Sequence, residues 1–180
     1  MLRLFVGIAI PESLTRRLSA LQGGIPDARW MTPDSFHVTL SFIGDVDEGA
    51  AEDIDEALRS IHAESFDMKV AGVGCFSQGD TPLVLWAGVE KDERLMRSRD
   101  KVSHALVRAR IEHDARKYTP HITLARFRHA PPLDKLADFM EANSGFSAEP
   151  FTVGEFILYR SHLGKSGSVY EELARYPLAV

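Results

Sequence analysis

A chain of 180 residues, 44% hydrophobic and 26% charged, has the make-up of a folded domain with a sizeable core, not of a disordered segment. Its formal charge of −5 argues against a protein that coats nucleic acid through bulk electrostatics, while leaving room for a local basic site. The single cysteine, Cys75, excludes an intrachain disulfide and fits a reducing compartment, where it is expected to serve as a small buried apolar side chain.

The run from Leu2 to Ile10 is apolar, short and closed by Pro11-Glu12. No small-residue cleavage pattern follows it, so it reads as a buried strand (Leu4 to Ile10), not as a secretory segment. No stretch reaches the roughly twenty apolar residues that span a bilayer, and a cytoplasmic protein is expected. Leu14, Leu18 and Leu21 then mark a helix with one apolar stripe, ended by Gly23-Gly24 and Pro26. A short strand is predicted at Ala28 to Met31, a turn at Thr32-Pro33-Asp34-Ser35, and a strand at Phe36 to Ile43 stopped by Gly44-Asp45. Ile54, Leu58 and Ile61 mark a second helix, whose Glu52, Asp53, Asp55 and Glu56 read as a solvated face. Strands are predicted at Phe66 to Phe76 and Pro82 to Val89, and a third helix along Leu95, Val102 and Leu106. His121 to Phe127 is the next strand, and Leu133, Leu136 and Met140 give a short fourth helix. Strands at Phe151 to Arg160 and Tyr170 to Leu178 follow, with the Gly-rich link Leu163 to Gly167 between them. Adjacent strands often lack a helix between them, which predicts an α+β fold with mainly antiparallel sheets.

Two tetrapeptides in this series share one pattern: His37-Val38-Thr39-Leu40 and His121-Ile122-Thr123-Leu124. On a strand, residues i and i+2 share a face, so each copy presents an imidazole beside a hydroxyl and turns two apolar residues to a core. The flanking pattern repeats as well. An apolar strand and an amphipathic helix precede each copy; a helix and a short apolar strand (Phe66 to Val70, Phe151 to Val153) follow it. The whole reads as an internal duplication, roughly 1–80 and 81–180, within one domain spanning 1–180.

Two facing histidines can divide proton transfer between them, because the ordinary imidazole pKa lies near neutrality. Threonine hydroxyls can hold an oxyanion, so the four residues suit in-line attack on a phosphodiester. Metal binding is the rival use of paired histidines. Neither strand offers His-x-His or an acidic partner on the histidine face, so no metal is expected. His62, His104, His113, His129 and His162 lack this context and are expected at the surface or on helices. Arg116, Lys117, Arg126, Arg128 and His129 bracket the second motif; they fit a phosphate-attracting cluster or a solvated rim equally well. Arg126 is a candidate substrate-binding residue, yet strand parity places it opposite His121 unless the strand bulges. Trp30, Phe42, Trp86 and Tyr159 suit core packing better than base stacking.

These residues resemble the two-histidine phosphoesterase superfamily, with its paired His-x-Thr motifs. The similarity is greatest to the bacterial and archaeal RNA 2′,3′-cyclic phosphodiesterases, formerly described as 2′-5′ RNA ligases. It extends to Arg3-Leu4-Phe5-Val6, Val84-Leu85-Trp86-Ala87-Gly88, Thr119 to Arg126, and Leu158-Tyr159-Arg160-Ser161 with Gly167-Ser168-Val169-Tyr170. The resemblance implies a bilobal, pseudo-twofold fold with both motifs lining a central cleft and both termini in one lobe. It implies hydrolysis of RNA 2′,3′-cyclic phosphate ends to 2′-phosphate with no metal and no nucleotide cofactor required. His37 would then be the proton donor, His121 the proton acceptor, and Thr39 and Thr123 the phosphate ligands. Reversible 2′-5′ ligation, another small cyclic phosphate, and a non-catalytic RNA-end binding protein are the alternatives. The expected partner is an RNA or oligonucleotide with a terminal cyclic phosphate, bound by a monomer with no membrane association.

Overall fold

Side-chain caps begin two of the four helices. Asp47 accepts from the Ala50 amide at 2.8 Å, and Asp92 accepts from the Arg94 and Leu95 amides, so orphan donors of the first turns are satisfied. In a computed structural model, which describes residues 1–165 and 167–180, ten strands and four helices follow in order. They are β1 (Leu2–Ala9), α1 (Glu12–Leu21), β2 (Arg29–Trp30), β3 (His37–Val46), α2 (Glu48–Arg59), β4 (Phe66–Met68), β5 (Val70–Gln78) and β6 (Thr81–Val89). Then come α3 (Glu93–Arg108), β7 (His121–Arg126), α4 (Leu133–Asn143), β8 (Phe151–Val153), β9 (Glu155–Gly164) and β10 (Gly167–Pro177).

The strands form two four-stranded antiparallel sheets, ordered β10-β9-β1-β3 and β2-β7-β6-β5, joined by the pair β4-β8. The α+β, mainly antiparallel architecture thus agrees with expectation. Each sheet draws strands from both halves of the sequence, so lobes and sequence halves are not the same division. The two motif strands also pair alike with their neighbours. Ala9, Ile8, Gly7 and Val6 pair with His37, Val38, Thr39 and Ser41. Gly88, Ala87, Trp86 and Leu85 pair with His121, Ile122, Thr123 and Ala125 in the same pattern. Between the lobes, Asp67 lies opposite Thr152, whose hydroxyl donates to the Asp67 carboxylate at 2.7 Å.

Apolar side chains from both sheets and from the inner helix faces form the main core. It takes Leu4, Val6 and Ile8 from β1, Val38 and Leu40 from β3, and Ile122 and Leu124 from β7. Leu14, Leu18, Ile54, Leu58, Leu95 and Leu106 meet them from the helices. Burying each such side chain contributes about 1.5–3 kcal/mol. A smaller cluster of Phe5, Ile157 and Tyr159, with Tyr170 against it, lies apart from this core.

Several expected boundaries shift. The strand beginning at Phe66 is two, broken at Lys69, and the one beginning at Phe151 is two, broken at Gly154. At both breaks the chain leaves the β4-β8 bridge for a lobe, and continuous apolar character on either side hides the change of sheet. Gly44 does not end β3. It takes φ +93° in a bulge, with Phe5 opposite Phe42 and Leu4 opposite Gly44, and the strand runs on to Val46. The second helix ends at Arg59, short of Ile61. The expected Gly-rich link is largely strand, since β9 runs through Leu163 and Gly164 and β10 starts at Gly167, opposite Gly164; its Ser166 lies outside the described residues. Asp55 is not merely solvated, since it accepts from Tyr176 Oη at 2.7 Å and from Arg59 Nε at 2.8 Å. Cys75 is half-buried, with burial pushing its thiol pKa up.

Candidate active site

On β3 and β7, burial alternates as the motif demands: His37, Thr39, His121 and Thr123 are half-buried, while Val38, Leu40, Ile122 and Leu124 are buried in the core. Each imidazole is locked by the carbonyl two residues earlier. His37 Nδ1 donates to the Ser35 oxygen at 2.7 Å, and His121 Nδ1 donates to the Thr119 oxygen at 2.7 Å. A carbonyl only accepts, so Nδ1 carries the proton and Nε2 of each neutral ring is the free base. Thr39 Oγ1 lies 3.0 Å from His37 Nε2, and its hydroxyl can donate to that lone pair.

A bulge then decides where Arg126 lies. Thr123 pairs with Trp86 and Ala125 with Leu85, leaving Leu124 as an extra residue. Leu124 and Ala125 are consecutively buried, and parity flips beyond them. The Leu124 carbonyl accepts from the Met31 amide at 2.9 Å. The parity expectation for Arg126 is therefore corrected: its cation acts on His37, His121 and Tyr170 together. β3 carries the same irregularity at Leu40, which sets Phe42, not a cation, at the position matching Arg126.

Burial is the main cause that pulls the His37 pKa down to about 4; the charges of His121 and Arg126 lower it further, against the Ser35 hydrogen bond. The His121 pKa is lowered by burial and then by Arg126. Both rings are thus neutral near pH 7 when the site is empty of anions. A bound phosphate would offset the Arg126 charge and favour a proton on either ring.

Aromatic side chains wall each histidine. Phe5 and Tyr170 lie 4.7 and 5.0 Å from the His37 ring, centroid to centroid. Phe76 meets the His121 ring edge-on at 4.8 Å, with Trp86 at 6.3 Å. Tyr159 packs in the core as expected, stacked on Phe5. Trp30 is half-buried against Phe139. The expectation fails for Phe42, which is 37% exposed with Arg3 over its ring, and in part for half-buried Trp86. Tyr118 spans the two motifs, its hydroxyl donating to the Thr39 carbonyl at 2.9 Å. Sequence reasoning missed Phe5, Phe76, Tyr118 and Tyr170 as site neighbours. In uniformly apolar strands the alternation that separates cleft from core is invisible, and only the paired strand reveals it.

Other cations of the expected cluster stay outside this group. Arg116 is tied to Asp114, and Lys117, Arg128 and His129 are exposed or at the rim. His113 is not at the surface but half-buried, 2.7 Å from the Ser103 hydroxyl. Among the described residues no group of three or more His, Cys, Asp or Glu stands close enough to hold a metal ion. Among them, too, no helix is long and apolar enough to cross a membrane.

Fold and site together define the class: a two-histidine phosphoesterase, two imidazoles and two threonines presented by matched strands of two antiparallel lobes. More narrowly, the chain belongs to the 2′-5′ RNA ligase superfamily, whose family model matches residues 10–165. An RNA 2′,3′-cyclic phosphodiesterase of Aeropyrum pernix is 33% identical over 158 residues, covering 87% of this chain and 89% of the relative. One from Geobacillus stearothermophilus is 30% identical over 183 residues, covering 97% of this chain; the chain spans only 56% of that relative's length. The crystal structure of TT0787 from Thermus thermophilus matches with a TM-score of 0.78 at 25% identity over 97% of each chain.

Proposed function

We propose that this protein hydrolyses the 2′,3′-cyclic phosphate at the end of an RNA strand to a 2′-phosphate and a free 3′-hydroxyl. The observation that carries this reading is the pair of imidazoles, each fixed through Nδ1 so that Nε2 is its basic nitrogen, with the Arg126 charge acting on both. The names of the curated relatives support the substrate class.

In this reading Thr39, Thr123 and Arg126 hold the non-bridging oxygens. His121 Nε2 takes a proton from water as the water oxygen bonds to phosphorus. The bond from phosphorus to O3′ breaks in line, and His37 Nε2–H gives its proton to O3′. His37 must acquire that proton as the anionic substrate binds, because its pKa in the free protein is only about 4. These two proton transfers, one to His121 and one from His37, require no metal. The protein acts as a monomer in the cytoplasm, and its chain is one bilobal domain built by duplication of 1–80 into 81–180.

The test is incubation of EDTA-treated protein with a short RNA ending in 2′,3′-cyclic phosphate, resolving the 2′- and 3′-phosphate products. Formation of the 2′-phosphate alone is expected. A 3′-phosphate product would overturn the polarity, and no product from the wild-type protein would overturn the reading.

A further inference from the structure

A groove of about 790 Å³ lies away from the histidines, and none of its lining residues belongs to the site described above. Its walls are the end of α2, the first half of α3, and the segment 177–179. That segment is held against residues 63–65 by hydrogen bonds from Ser65 N to Ala179 O at 2.7 Å and from Ala179 N to Ala63 O at 2.8 Å.

Three cations in this groove, Arg94, Arg97 and Lys101, stand at helical spacing along one stripe of α3, and Arg59 faces them from α2. Glu64 is the one carboxylate of the lining among the described residues. For a chain of net charge −5 this is a marked local reversal. Arg59 and Arg97 are paired within their own helices, with Asp55 at 2.8 Å and Glu93 at 3.0 Å. Arg94 and Lys101 have no carboxylate partner among the described residues; the Lys101 ammonium donates only to the His62 carbonyl.

Ser98, only 5% exposed, lines the same groove between Arg94 and Lys101. Beside it, Ile61 and Leu178 add apolar surface on which a ribose or base can rest.

We propose that this groove is a second binding site, for the sugar–phosphate backbone of an RNA strand. The guanidinium of Arg94 and the ammonium of Lys101 would each meet a phosphate, and Ser98 would donate to one between them. At about 1.5 Å per helical residue the stripe from Arg94 to Lys101 is about 10 Å long. The choice of RNA over another polyanion rests on the proposed function. The site's existence rests on the groove alone.

Fluorescence anisotropy with a labelled oligoribonucleotide ending in a 3′-hydroxyl, which the cleft cannot turn over, tests this. The double variant Arg94→Ala/Lys101→Ala changes two exposed side chains, and an unchanged Tm would confirm that it folds. It is expected to lose about tenfold in affinity at low salt. The slope of log K against log salt should become shallower by about 1.4, at about 0.7 per phosphate contact on a single strand. Its kcat/KM on a cyclic mononucleotide should be unchanged. Equal affinity and slope in wild type and variant would overturn the proposal, and so would an oligoglutamate peptide binding as tightly as the RNA. Failure of wild-type protein to hydrolyse any cyclic phosphate would overturn the cleft reading without touching the anisotropy result.

Discussion

His37 and His121 are held alike through Nδ1 and both feel the Arg126 charge; they differ in the threonine hydroxyl that lies 3.0 Å from His37 Nε2. Replacing either histidine with alanine should lower kcat by on the order of 10² to 10⁴ with little effect on folding, since each makes one of two proton transfers. Unimpaired turnover in either variant would remove that residue from the chemistry. Arg126 lowers both imidazole pKa values, so Arg126→Ala should raise both. An NMR titration of the histidine ring protons would read this directly, and unmoved midpoints would place the cation elsewhere. Because kcat/KM reports the free protein, its pH profile should be a bell with its maximum on the acid side of about 6.5. A rate rising steadily from about pH 5 to 9 contradicts a paired acid and base.

Bulges are the element-scale device that makes the site. One extra residue at Leu124 brings Arg126 onto the histidine face, and the matching bulge at Leu40 brings Phe42 there. Packing next to β7 is equally tight. The Trp86 indole lies across Gly74 so closely that a Cβ there would fall 2.1 Å from Trp86 Cη2. Gly74→Ala must therefore displace the indole, which packs near His121. Overpacking of this kind costs about 1–3 kcal/mol. A lower urea midpoint and a reduced kcat are expected together; an alanine variant with wild-type values for both would show that the indole is free to move.

Across the whole molecule, burial of His37 links the cleft to stability. Its pKa of about 4 lies below the ordinary 6.5, so as pH falls through 6.5 the unfolded chain takes the proton first. Stability should fall between about pH 6.5 and 4, by at most about 3 kcal/mol from this residue, and no further below that. Urea midpoints at about pH 7 and about pH 4.5 for wild type and His37→Gln measure it. A smaller drop in the variant is expected, and equal drops would mean that His37 is as well hydrated in the fold as in the unfolded chain.

Local chemistry alone made the duplicated His-x-Thr pairs, the four apolar helix stripes and the α+β character legible, because periods of two and about 3.6 are written in adjacent residues. The half-burial of His37, Thr39, His121 and Thr123 and the burial of their alternating neighbours follow from that period. Tertiary structure decided the rest. Which lobe each strand joins, where Lys69 and Gly154 break the ladders, and which face Arg126 takes depend on the partner strand and its register. A bulge changes parity without changing composition, so nothing within the sequence His121 to Arg126 records it. The depressed imidazole pKa values arise in the same way, from burial and from an arginine whose side chain reaches the cleft only once β6 and β7 pair.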